Sequence, residues 1–175
     1  MTRKFYHTQE SRSKLLESPV KCVRDDAWLG EAFYFWLEHI DAKKWGFNSK
    51  KRTEYFEIYS GDIDCENVLD TVFNEKEYNF WLEQIEKVAT LEVKKNRKKP
   101  TLKELNDYFK KRATWNEVTG ILFQDMPSNN SQSLIEPILY NNNRQVYFVY
   151  RKRIQLAVYD SNIISNFALL DKIKH

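Results

Sequence analysis

The sequence predicts an α+β domain, and three observations carry that expectation. Strand-like runs rich in β-branched and aromatic residues stand near both ends of the chain, helical periodicity is confined to its middle, and no regular alternation of strand and helix joins the two. At 175 residues the chain fits one domain over 1–175 and is long enough to bury a core. Hydrophobic residues at 42% with 15% aromatics exclude a disordered chain, and only four Gly and four Pro leave the loops to Asn, Asp and Ser. Lys plus Arg exceed Asp plus Glu by 28 − 25 = 3, a mild basic balance that leaves a nucleic-acid partner open without arguing for one. Cys22 and Cys65 fit no metal spacing, and the opening MTRKFYHTQE has no apolar segment for export or membrane insertion. The expectation is a cytoplasmic protein with reduced thiols and no membrane partner.

Along the chain, Lys4–His7 reads as a short first strand, and Thr8 as the cap of a helix that Pro19 stops. Val20–Val23 is a brief strand. Tyr55, Phe56, Ile58 and Tyr59 form a strand apolar on both faces, expected inside the sheet. From Cys65 to Arg112 the period turns helical: Val68, Leu69, Val72 and Phe73 fit one short helix, Asn74 with Glu77 caps a second, and Thr101 with Glu104 forms a capping box for a third. Between the last two lies KKNRKKP, residues 94–100, a solvated linker or a phosphate-contacting patch. Ile121–Gln124, Leu134–Tyr140, Gln145–Tyr150 and Ile154–Tyr159 then read as strands, the last two as a hairpin. No element is assigned after Tyr159.

The most distinctive stretch is Trp28–Gly46, WLGEAFYFWLEHIDAKKWG. Ala32–Trp36 carries no charge and suits a buried strand; Ile40, Ala42 and Trp45 recur at helical spacing, and Gly46 supplies a stop. A core can be filled with Leu and Val, so the surplus of rings has two readings: a plain aromatic core, or a site that stacks a planar ligand. Elsewhere there is no G-x-S-x-G, H-E-x-x-H, P-loop or Cys/His cluster, and His7, His39 and His175 are far apart in sequence.

Three separated elements then resemble a known family, the ADP-ribosyltransferases of the diphtheria-toxin and poly(ADP-ribose) polymerase type, whose signature is His, Tyr and Glu on three strands. Phe5-Tyr6-His7-Thr8 stands where that family has Tyr-His-Gly-Ser or Thr; Gly30-Glu31-Ala32-Phe33-Tyr34-Phe35 fits its glycine-aromatic strand; Trp45 falls at its second aromatic; Gln155-Leu156-Ala157-Val158-Tyr159 aligns with its Glu-Tyr-Ile-Val-Tyr strand. The resemblance implies a split, mostly antiparallel β-sheet with the helices of about 65–112 as an insertion. It implies that NAD, as substrate, lies between His7, Thr8, Tyr34 and Trp45. His7 would hydrogen-bond the adenosine ribose while its backbone neighbours read the nicotinamide amide, and Tyr34 and Trp45 would sandwich the nicotinamide ring.

Three departures matter. Ala42 replaces a Ser that often bonds the nicotinamide amide, Thr8 replaces a Gly that lets the backbone approach the ligand, and Gln155 replaces the catalytic glutamate. Cleaving the nicotinamide–ribose bond builds positive charge on the sugar, and Gln keeps the hydrogen bond but loses the stabilising charge, a loss of roughly a hundred- to a thousandfold in rate. Glu54, Glu57 and Glu136 are the substitutes to test; Arg3 and Arg24 suit a pyrophosphate but read as surface charges. The resemblance therefore implies an ADP-ribosyltransferase modifying a macromolecular acceptor, protein or nucleic acid, as a toxin or defence effector that an inhibitor or antitoxin protein would partner. Its alternative is a catalytically silent relative that binds nucleic acid or a protein. The arginine- and histidine-rich signature of RNA 2′-phosphotransferases on the same fold is not seen.

Overall fold

The computed structural model describes residues 1–111, 117–125 and 152–175, with the backbone of 138–140 and 144–146. In chain order the elements are β1 (Thr2–Glu10), β2 (Phe33–Trp36), α1 (His39–Ser49), β3 (Tyr55–Asp64), β4 (Val68–Asp70), α2 (Glu75–Asn96), α3 (Leu102–Lys111), β5 (Gly120–Asp125), β6 (Ile138–Tyr140), β7 (Arg144–Val146), β8 (Arg153–Val158) and β9 (Ile164–Lys174). The fold is α+β. Seven strands form one sheet in the order β4-β5-β8-β2-β1-β3-β9, antiparallel except for β4–β5, while among the described residues β6 and β7 form a separate antiparallel pair. Among the described residues no helix is long and apolar enough to cross a membrane.

The sheet has a weak seam. β1 pairs with β3 over its whole length, and β8 pairs residue by residue with β5 and β2, but β1 meets β2 through one pair, Tyr6 opposite Trp36. Beyond that pair the two strands part. Three clusters of buried side chains surround the seam: Leu29, Leu69, Leu105, Phe109, Ile121 and Phe123 under α2 and α3; Phe5, Phe35, Ile63, Leu122 and Leu156 joining the two halves of the sheet; and Trp36, Ala42, Phe56 and Ile58 under α1.

Several sequence expectations are corrected. The helix expected after Thr8 does not form, because β3 offers Thr8, Gln9 and Glu10 ladder partners in Ile58, Glu57 and Phe56, and β1 runs on. Val20–Val23 contributes only a single bridge, Cys22 to Ala32. Val68–Asp70 is a strand parallel to β5, not a helix; the Asp70 carboxylate then accepts from the Val72 and Phe73 N–H groups and turns the chain. Of the expected hairpin of 145–150 with 154–159, residues 147–150 lie outside the described residues; β8 pairs with β2 and β5 on its two edges, and β7 pairs with β6. The 94–100 run is not all linker: its first residues close α2, and Arg97 adopts a left-handed cap at φ 53°. Strand β9, eleven residues long, is wholly unexpected. Its alternation is broken by Asn166 at φ 51°, by register shifts against β3 and by Asp171 inside the apolar series. The capping reading holds: Asn74 Oδ1 accepts from Lys76 and Glu77, and Thr101 and Glu104 bond each other's backbone reciprocally. Loop residues 127–133 and 141–143 and most of the expected strand 134–140 lie outside the described residues.

Gly46 is also not a stop. It sits inside α1, where an added Cβ would lie 2.1 Å from the Phe56 ring, so it sets how closely the helix approaches β3. In an exposed helix Gly→Ala stabilises by up to about 1 kcal/mol. Here Gly46→Ala is expected to destabilise by about 1–3 kcal/mol through overpacking. Denaturant unfolding decides between the two, and a gain in stability would contradict the packing role.

Candidate functional site

Where β1 and β2 part, the sheet holds a cavity of about 410 Å³ lined by His7, Thr8, Tyr34, Trp45 and Gln155, the five residues singled out in the sequence, together with Trp36, Lys50, Phe123, Asp125 and residues of the 20–28 segment. That size is ordinary for a small-molecule site. Thr8 and Gln9 come from the portion of β1 that has left β2, Tyr34 and Trp36 from one face of β2 at a spacing of two, Trp45 from α1, and Phe123 and Gln155 from a directly opposed pair on β5 and β8.

His7 closes the seam from within. It is not at a strand end as expected but in the middle of β1, 5% exposed. Its Nδ1 lies 2.8 Å from the Tyr34 carbonyl, a group left without a β1 partner where the ladder opens, and its Nε2 lies 3.3 Å from the Val20 N–H. A carbonyl on one side and an N–H on the other fix the tautomer: Nδ1–H donates and Nε2 accepts. Burial holds the imidazole neutral, its pKa lowered from 6.5 to about 4. The ribose hydrogen bond implied for His7 therefore competes with Val20, which already occupies Nε2.

The segment 11–32 crosses this region, with Pro19, Ala27, Leu29 and Ala32 buried along it. Ser11 Oγ donates to Glu57, the Leu16 N–H donates to the Tyr59 hydroxyl, and Val20 holds His7, while Leu15, Val23 and Trp28 remain exposed. Thr8 keeps its hydroxyl on the Ala42 carbonyl at 2.9 Å, which ties β1 to α1. Ala42 itself is buried and does not reach the cavity. The Tyr34 hydroxyl donates to Gly30 O and accepts from Leu29 N, and burial raises its pKa, so it is a neutral wall. Gly30 supplies that turn with φ 78°. Trp45 packs against Trp36, ring centroids 5.8 Å apart.

Charge enters the cavity at a few points. Lys50, desolvated so that its pKa falls despite the charge of nearby Glu10, reaches Gln9 Oε1 at 3.4 Å. Lys21 pairs with Glu31 and Arg24 with Asp26 at the mouth. Inside, Asp125 meets Arg153 at 2.7 Å, and the guanidinium lies 4.8 Å from the Trp36 ring centroid. The expected substitute carboxylates are elsewhere: Glu54 pairs with Lys174, and Glu57 is buried beneath Tyr59, Ser11 and Lys172. Glu136 lies outside the described residues. Arg3 lines a separate cavity of about 220 Å³, and Lys94–Lys99 do not line the main one. Asp125, Trp36, Lys50 and Phe123 were not anticipated. The alternation of Ile121, Phe123 and Asp125 is the signal that could have placed the carboxylate on the cavity face.

His7 makes the site testable by pH. A histidine whose folded pKa lies below its unfolded value opposes folding when it must be protonated, so stability is full above pH 6.5 and falls as pH drops from 6.5 toward 4. The loss over that window is about 3 kcal/mol. His7→Gln is expected to flatten this part of the pH–stability curve, and an equally steep curve in the variant would contradict the buried neutral state. Compared with family models, with curated proteins and with solved structures, the chain matches none of them.

Proposed function

We propose that the cavity is an NAD site and that the protein is an ADP-ribosyltransferase-like enzyme acting on a macromolecular acceptor, with its sheet of that family's split type and the middle helices as an insertion. The observation that carries this is convergence. Five residues from four parts of the chain, all implied by one chemistry, line a single cavity where the β1–β2 ladder opens. Flat aromatic walls from Tyr34 and Trp45 suit a nicotinamide ring. The freed edge of β1 suits its amide, and Lys50 offers a cation to the pyrophosphate. In this reading Gln155 and His7 act on the ribose, His7 after Val20 has let go of Nε2.

A second reading is favoured by that same histidine and by Gln155. A site whose His is occupied by its own backbone and whose ribose-facing residue is uncharged suits a catalytically silent module that holds nucleic acid or a protein, an inhibitor or antitoxin included. Calorimetric titration with NAD separates the two. Trp45→Ala and Tyr34→Ala are each expected to weaken NAD binding by roughly tenfold, the worth of a lost ring contact. Unchanged affinity in both variants, or no heat of binding in the unaltered protein, contradicts the NAD reading.

A further inference from the structure

We propose that Asp125 is the catalytic base of the cavity, supplying the carboxylate that Gln155 cannot; this rests on the NAD reading above. On the adjacent strands β5 and β8, Phe123 stands opposite Gln155 and Asp125 opposite Arg153, so Asp125 is one diagonal step from Gln155. Both line the cavity. The side chain of Asp125 is 17% exposed, against 67% for Asp26, the other carboxylate described there, which holds Arg24 at the mouth. Arg153 fixes it: the guanidinium holds the carboxylate at 2.7 Å while packing on the Trp36 ring, so the base is oriented by a group that is itself held in place.

The pair also divides the work. Arg153 offsets the Asp125 charge at 2.7 Å, while burial and the nearby buried Asp41 push the Asp125 carboxyl up, which suits it to proton transfer rather than charge stabilisation. With water as acceptor, the bond between nicotinamide N1 and ribose C1′ breaks and its electron pair leaves with nicotinamide. A lone pair on the water oxygen forms the new bond to C1′, and the water proton passes to Asp125 and on to solvent. Nothing is oxidised or reduced. Gln155 is left to hold the ribose by its amide.

The test is nicotinamide release from NAD in water, beside calorimetric NAD affinity, for the unaltered protein, Asp125→Asn and the double variant Asp125→Asn/Arg153→Gln. The double variant removes both charges at once and so guards against a fold lost to one unpaired buried arginine. The expected result is a fall in nicotinamide release on the order of a hundred- to ten-thousandfold in both variants, with NAD affinity changed only a few-fold. Release that survives in either folded variant overturns the inference and leaves the NAD reading standing. NAD bound by the unaltered protein without any release also overturns it. An unaltered protein that does not bind NAD overturns both.

Discussion

The structure turns on one imidazole at one interruption of the sheet. The seven-stranded sheet is joined at β1–β2 by a single residue pair, and the opening beyond it would strand the Tyr34 carbonyl in a buried setting. His7 answers that need with Nδ1–H and collects the Val20 N–H on the other nitrogen, so one ring satisfies a strand and a crossing segment together. Because an unmade buried hydrogen bond costs about 1–3 kcal/mol, neither bond is dispensable while the seam stays dry. The price is an imidazole kept neutral by desolvation.

From that constraint the cavity follows. Parted strands cannot close on each other, since the Phe5–Phe35–Ile63–Leu156 cluster and the Trp36–Ala42–Phe56–Ile58 cluster fix the two halves from opposite sides. The space between is lined by rings because the residues flanking the seam at a spacing of two are Tyr34 and Trp36, with Trp45 leaning in from a helix that Gly46 allows close to β3. On the proposed reading, ligand entry replaces the Val20 N–H at His7 Nε2 with a sugar hydroxyl, and the freed N–H must find water or the ligand, since leaving it unmade costs about 1–3 kcal/mol.

How legible all this was in the sequence depends on the range of the interaction. The caps at Asn74 and Thr101 were readable because donor and acceptor sit within three residues of each other. Strand Tyr55–Tyr59 was readable because apolar residues on both faces leave little else to do. By contrast β4 and the end of β1 were decided by distant partners on β5 and β3, which local periodicity does not contain. β9 was hidden by a left-handed Asn166 near its start. At the site, the aromatic unit from Gly30 to Trp45 was visible as a surplus of rings. The occupation of His7 was not, because Val20 and Tyr34 come from segments with no sequence mark of their meeting, and Asp125 fell just past the strand expected over Ile121–Gln124.

The central claim is that the gap between β1 and β2 receives the nicotinamide end of NAD. A crystal structure of the protein grown with NAD tests it most directly. The expected result is the pyridine ring between Tyr34 and Trp45, with its ribose beside Gln155 and the His7–Val20 bond broken. NAD bound anywhere else on the molecule, or a gap left closed and unchanged at saturating NAD, would contradict it.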